Sequence, residues 1–307
     1  MHRKTTGLRL IVGTFAAAAA LEGYPGACAA AADDAALSKI LAEMKAPEKA
    51  VRLSAIGKLV HYAGGEEAKV PALAALQDAM RDREPEVRAV ACTATGNMRE
   101  LAAPAVPALV RLLRDRDAEV RQCAVRALGR VGPKVEKAKK DMLRLTRDDD
   151  PVVRVVAHGA LIRVGESPDE HLPPIIAGMK SETAVVRLKS AHACEPLESL
   201  AAPAVPHMAG LLRDPDDRVR HYAARALVNL GETARPALAA LKAALVRETA
   251  ADNRGLIQAA LRRLEPAGGA AVAPRTPRSF ASCLRWGGQP IGARLRASGL
   301  KLAPTTV

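Results

Sequence analysis

The sequence predicts an all-α fold: a right-handed α-solenoid (superhelix) of about seven helical hairpins with a disordered C-terminal tail. Three observations predict it. An apolar-Arg dipeptide returns along the chain at nearly constant spacing. Between its occurrences the apolar residues keep a 3.6-residue period, the mark of one-sided helices. Aromatic residues make up only 2% of 307 residues, while Ala, Leu, Val and Arg dominate. A compact core of that size uses more large rings, because each buries a large area.

The N-terminal segment is read first, because it is set apart from the repeats. Met1, His2, Arg3 and Lys4 form a charged start, Leu10 to Leu21 is an apolar run, and Ala27, Cys28 and Ala29 fit a small-x-small cleavage site. Residues 1–29 therefore read as a signal peptide, and the chain as exported, periplasmic or secreted. Lipid anchoring through Cys28 is the less favoured alternative, since Pro25 stands where that signal usually has Leu. The apolar run is too short to span a bilayer. No later segment is long and apolar enough either, so no transmembrane span is expected once the signal is removed.

Residues 30–268 carry the repeat. The segments beginning at Leu101 and Leu200 are nearly the same sequence and lie 99 residues apart, which is three periods of 33. The marker arginines are Arg52, Arg88, Arg121, Arg154, Arg187 and Arg220, spaced 36 and then 33 four times. Arg254 marks a degenerate seventh copy, with Asn253 in place of Val.

The third copy shows the anatomy. Pro104 is expected to open a first helix, as Pro does at the first helical position. Val106, Leu109, Leu112 and Leu113 give that helix an apolar stripe. Asp115 and Asp117 fall in a short turn, and Asp117 suits the N-cap of a second helix. Val120, Ala124, Ala127, Leu128 and Val131 form its stripe, and Gly132 with Pro133 stops it. Neither helix can bury its stripe alone, so the copies must stack.

The pattern Asp-x-Asp-x-x-Val-Arg-x-x-Ala-x-x-Ala-Leu-Gly, recurring from about Ala36 to Gly268, resembles the short HEAT-like repeat of the phycobilisome-lyase type. The resemblance implies an armadillo-like stack. It also implies that Asp82, Asp115, Asp148 and Asp214 form a structural ladder between repeats with the six arginines of the Val-Arg pairs. Two copies depart from the pattern. The first has Ala46 where others have Asp, and the fifth has Ser181 there, plus Glu195 and Pro196 inside its second helix. Proline in a helix interior removes a hydrogen bond, so that helix is expected to be short or bent.

The net charge is +13, but it is unevenly spread. Residues 269–307 hold six cations and no acid, the leader carries +2, and +5 is left for the repeats. This Ala, Gly, Pro and Arg-rich tail shows no sustained period and reads as disordered. Cys28, Cys92, Cys123, Cys194 and Cys283 have no metal or redox spacing; Cys28 is expected to leave with the leader, and the other four read as small apolar fillers or free thiols. Asp148, Asp149 and Asp150 are adjacent carboxylates, but they lack the Gly and downstream Glu of a calcium loop. No His-Glu dipeptide, as in the HEAT-like iron enzyme deoxyhypusine hydroxylase, occurs. The histidines read as solvated or satisfied residues. No catalytic residue, cofactor or metal is expected.

A binding surface is expected instead. Second-helix positions five and nine residues after the marker Arg point away from the stripe. They place Arg126, Arg130, Arg163, His192 and Arg225 in a basic ridge on the concave face. Arginine suits carboxylate and phosphate partners. The function expected is a non-enzymatic interaction scaffold taking a protein or acidic polymer on that face. Nucleic-acid binding is disfavoured by export and by the lack of interleaved aromatics. A HEAT-like enzyme, phycobilin-lyase-like or deoxyhypusine-hydroxylase-like, is the other alternative. The sequence leaves the oligomeric state open.

Overall fold

The computed structural model describes residues 35–62 and 66–265. The leader with Cys28, and the tail 269–307, lie outside the described residues. Helices and turns account for the described chain, with no strand among the described residues.

The apolar stripes pair the helices into seven hairpins. The first helices are α1 (35–43), α3 (Glu66–Ala79), α5 (Val106–Leu112), α7 (Lys139–Arg144), α9 (Pro168–Gly178), α11 (Val205–Leu211) and α13 (Leu238–Arg247). Their partners are α2 (Lys49–His61), α4 (Pro85–Asn97), α6 (Ala118–Val131), α8 (Pro151–Arg163), α10 (Ala184–Cys194), α12 (Asp217–Leu230) and α14 (Ala251–Leu264). Each second helix packs on the second helix of the next copy. The stripe of α6 shows why, since Val120, Ala124, Ala127, Leu128 and Val131 are all buried.

Caps and stops follow the local chemistry. Asp117 accepts from the backbone N–H groups of Glu119 and Val120, and Asp150 does the same for Val152 and Val153. Each such cap contributes about 1 kcal/mol. Pro104 does not open the first helix of its copy. It lies inside a 3₁₀ segment, Arg99–Ala105, and α5 begins at Val106 with Pro107 in its first turn. The chain must turn tightly after α4, and the 3₁₀ winding takes up that turn before regular helix resumes.

After the second helices of the second to sixth copies one backbone position adopts positive φ: Arg99 (53°), Gly132 (82°), Gly165 (95°), Glu198 (51°) and Gly231 (54°). These positions recur every 33 residues. At Glu198 ψ is −132°, beside −151° at Gly132 and −128° at Gly231, a region open essentially to glycine alone. In the fifth copy α10 stops at Cys194, and Glu195 and Pro196 continue as 3₁₀ winding. The second helix is therefore shortened where Pro196 stands.

Copies are tied by arginine. In five copies the guanidinium of the marker residue donates twice to the carboxylate in the turn of the following copy, at 2.6–3.0 Å. The pairs are Arg52–Asp82, Arg88–Asp115, Arg121–Asp148, Arg187–Asp214 and Arg220–Glu248. The remaining arm reaches back to two carbonyls of its own turn, as Arg121 does to Asp115 and Arg116. The same aspartates also close the turn, Asp148 accepting from the backbone N–H of Asp150 at 3.0 Å. Burial pushes the Asp148 carboxyl up, but the Arg121 hydrogen bond and that N–H outweigh it and hold the group below its ordinary value.

One rung is incomplete. Arg154 reaches the carbonyls of Asp148 and Asp149, but the rung position of the following turn holds Ser181 in place of a carboxylate. The buried core divides at the same joint. One cluster runs from Leu37 to Val164 and another from Ile162 to Leu264, with Val152, Val155 and Val186 as a small patch between them.

Two stability predictions result. Asp148→Ala, which strands Arg121, is expected to cost about 3 kcal/mol in urea unfolding. Ser181→Asp, which supplies the missing carboxylate at a part-exposed place, is expected to add about 1 kcal/mol. No gain from Ser181→Asp would mean that Arg154 is not positioned as a rung. Separately, the Glu198 side chain is exposed, so Glu198→Gly relieves backbone strain without loss of packing. Set against glycine's added chain entropy, the net gain is expected to be about 1 kcal/mol, read as a raised Tm.

Candidate functional site: a basic pocket on the second-helix face

The fixed register stacks equivalent positions of successive second helices. Close approach of their backbones brings the stacks together. A Cβ added at Gly96 would meet Ala127 Cα at 2.9 Å, and one at Gly129 would meet Ala160 Cα at 3.0 Å. Gly159 faces Ala193 in the same way. Only small residues allow this spacing, and long side chains then fan out on the remaining face.

That face carries a cavity of about 130 Å³. Arg126, Arg130, Arg163, His192 and Arg225, drawn from four successive second helices, all line it. Every one is half-buried. Stacked neighbours touch at the 33-residue spacing: Arg130 donates to Asn97 Oδ1 at 2.6 Å, and Arg126 to Thr93 Oγ1 at 3.5 Å. Two more charged residues belong here, Lys189 and Glu195. Both were recoverable by pattern, since each is three residues from His192 and so shares its helical face.

The charges are unbalanced. Glu195 is the one acid lining the cavity, and Arg225 already holds it with two hydrogen bonds at 3.0 and 2.8 Å. Asn229 donates to its other oxygen at 3.0 Å. Arg126 and Arg130 touch only neutral groups, Thr93, Cys123 and Asn97. Arg163 and Lys189 have no hydrogen-bond or ion-pair partner among the described residues. Burial, with Arg130 and Arg99 nearby, pulls the Arg163 guanidinium down to about 10. Burial and Arg126 likewise lower the Lys189 ammonium. These cations sit beside like charges, and the nearby acids Glu195 and Glu119 form no ion pair with them.

One edge is aromatic. The His192 and Tyr222 rings lie 5.1 Å apart, and the Arg225 guanidinium carbon lies 5.0 Å from the Tyr222 ring centre. That contact orients Arg225 toward Glu195.

Two other histidines are not isolated. His158 Nδ1 and His171 Nδ1 lie 3.0 Å apart across the joint between α8 and α9, and His171 Nε2 is buried with no partner. One ring must donate and the other accept, so the contact requires a neutral imidazole. Burial, with His171 adjacent, pushes His158 down to about 4. Burial also lowers His171, against Glu170 and Glu166, and takes His192 to about 4.

The described thiols do not fit nucleophiles. Cys92, Cys123 and Cys194 are buried and free. Burial pushes Cys92 far up and Cys194 up to about 12. Asp148 and Asp150 are engaged with Arg121 and the α8 N-terminus, and no group of three or more metal-ligating side chains gathers among the described residues. No helix of the described residues is long and apolar enough to cross a membrane.

Two-helix copies tied by arginine rungs define an α-helical repeat protein of the armadillo-like class. Residues 73–162 match the family described as HEAT repeats and residues 204–234 that described as HEAT repeat, so the chain carries HEAT repeats. No curated protein matches the chain in sequence. Among solved structures, the CpcE–CpcF complex of phycocyanin lyase from Nostoc sp. PCC7120 is 20% identical, with a TM-score of 0.49, covering 75% of this chain and 94% of that one. A designed armadillo repeat protein is 23% identical with a TM-score of 0.34, covering 75% and 100%. Human deoxyhypusine hydroxylase is 22% identical with a TM-score of 0.34, covering 76% and 97%. Likeness at this level assigns no activity.

The histidines set a pH dependence. Their folded-state values lie below that of an unfolded histidine, near 6.5. The unfolded chain therefore takes up protons first as pH falls, and stability is lost from about 6.5 down toward 4. Thermal melts at pH 8 and pH 4.5 are expected to show a lower Tm at the acid end. His158→Gln is expected to flatten that limb; an unchanged slope would exclude the pair as its source.

Proposed function

We propose that this HEAT-repeat chain is a non-enzymatic, exported scaffold that binds an acidic protein partner across the face bearing Arg126, Arg130, Arg163, His192 and Arg225. One observation carries the proposal: Arg126, Arg130, Arg163 and Lys189, half-buried and drawn from successive repeats, line one cavity with no acid bound to any of them. Holding them together costs free energy in the unliganded protein, and an anionic partner recovers it. A purely structural role would pair them, as the rung arginines are paired. The recurring Asp and Arg residues support the non-enzymatic reading, because they are consumed in ties between copies. Export rests on the signal-like leader, and N-terminal sequencing of the mature chain tests it.

Fluorescence anisotropy with labelled polyglutamate at low salt measures the interaction. The double reversal Arg130→Glu with Arg163→Glu is expected to weaken binding more than tenfold, about 1.4 kcal/mol or more. Affinity is expected to fall as salt rises. Equal binding by the reversed variant, or a clear preference for duplex DNA over polyglutamate, would overturn the proposal.

A further inference from the structure

The charge geometry of the pocket selects among anions. Four cations without an acidic partner reach it from three helices: Arg126 and Arg130 from α6, Arg163 from α8 and Lys189 from α10. A carboxylate presents two oxygens in one plane and a single charge. One arginine and one amide satisfy it at Glu195, where Arg225 donates twice to one oxygen and Asn229 to the other. A carboxylate placed among the other four would leave most of their charge uncompensated and could meet donors from only one or two of the helices. A tetrahedral oxyanion carries two charges near neutral pH and turns oxygens in three or four directions, which matches donors converging from three successive repeats. The cavity, about 130 Å³, has room for a five-atom oxyanion.

We propose that the cavity formed by Arg126, Arg130, Arg163 and Lys189 is a site for a doubly charged tetrahedral oxyanion, a phosphoryl group free or carried on an acidic protein. This rests on the reading of the second-helix face as the binding face, and names the group that anchors the partner there. Arg163 is the centre of the site. It lies between the α6 and α10 cations and has no partner among the described residues. Glu195 is the site's internal competitor, a fixed negative charge on the rim.

Calorimetry with inorganic phosphate at pH 8 and constant ionic strength tests the site, with sodium glutamate as the carboxylate control. Phosphate is expected to bind saturably and glutamate not to bind. Arg163→Gln is expected to weaken phosphate at least tenfold and, by relieving repulsion, to raise the Tm of the unliganded protein. That second readout separates loss of a ligand from loss of folding. Glu195→Gln is expected to tighten binding severalfold. Arg81→Gln, on an exposed side chain outside the cavity, is expected to leave it unchanged. An acidic peptide with one phosphoserine, compared with its unphosphorylated form, identifies the source. A phosphopeptide tighter than phosphate assigns the group to a protein partner, and equal affinities assign it to the free ion. Phosphate binding indifferent to Arg163→Gln overturns the site. No phosphate binding, with polyglutamate still bound through Arg163, overturns the oxyanion inference and leaves the acidic-partner reading standing. Binding of neither overturns both.

Discussion

The rest of the structure depends on the arginine rung. Each rung arginine joins the carboxylate of the following turn to the carbonyls of its own, so one side chain fixes two turns and the step between them. The pair spans 27 residues in three of the five complete rungs, Arg88–Asp115, Arg121–Asp148 and Arg187–Asp214. The final rung spans 28 residues and uses the longer Glu248, whose extra methylene reaches the same guanidinium. Burial pushes carboxylates up and guanidinium groups down, but the pairing reverses both directions at Arg88–Asp115 and Arg121–Asp148. Half-buried pairs with every arm satisfied tolerate little slippage, because moving either partner strands a charge.

Register held in this way has a consequence for the opposite side of the second helices. Equivalent residues must stack, whatever their charge. The close glycine–alanine contacts at Gly96, Gly129 and Gly159 bring the stacks nearer still. Cations that would separate in a flexible chain are kept side by side at the cavity. The scaffold thus holds an unfavourable charge arrangement in place, and the proposed anion would find its donors preorganised there.

Departures from the repeat gather in one region. The fifth copy has Ser181 in place of the rung acid, Glu195 and Pro196 at the end of a shortened helix, and Glu198 at a position suited to glycine. The core clusters divide just before it, and the His158–His171 contact crosses the same joint. Local rules broken together beside the proposed binding face fit the expectation that function takes residues away from stability. Glu195 is the clearest case. As a helix residue it is unremarkable, but beside Arg225 it becomes the negative edge of a positive cavity.

The sequence by itself determined the period, the number of copies, the stripes, the Asp117 cap, the Gly132 stop and the break near Pro196. All of these are short-range consequences of helix geometry and backbone conformation, legible wherever a pattern repeats. It also placed Arg126, Arg130, Arg163, His192 and Arg225 on one face, because a fixed period makes distant residues neighbours. Only the tertiary structure decided which turn each rung arginine joins, that Arg225 closes on Glu195, and that His158 meets His171. It also moved the start of α5 from Pro104 to Val106. Each of those depends on the rotation and distance between neighbouring copies. That spacing is set by small-residue contact and by ion pairing across the stack, and no single repeat contains it.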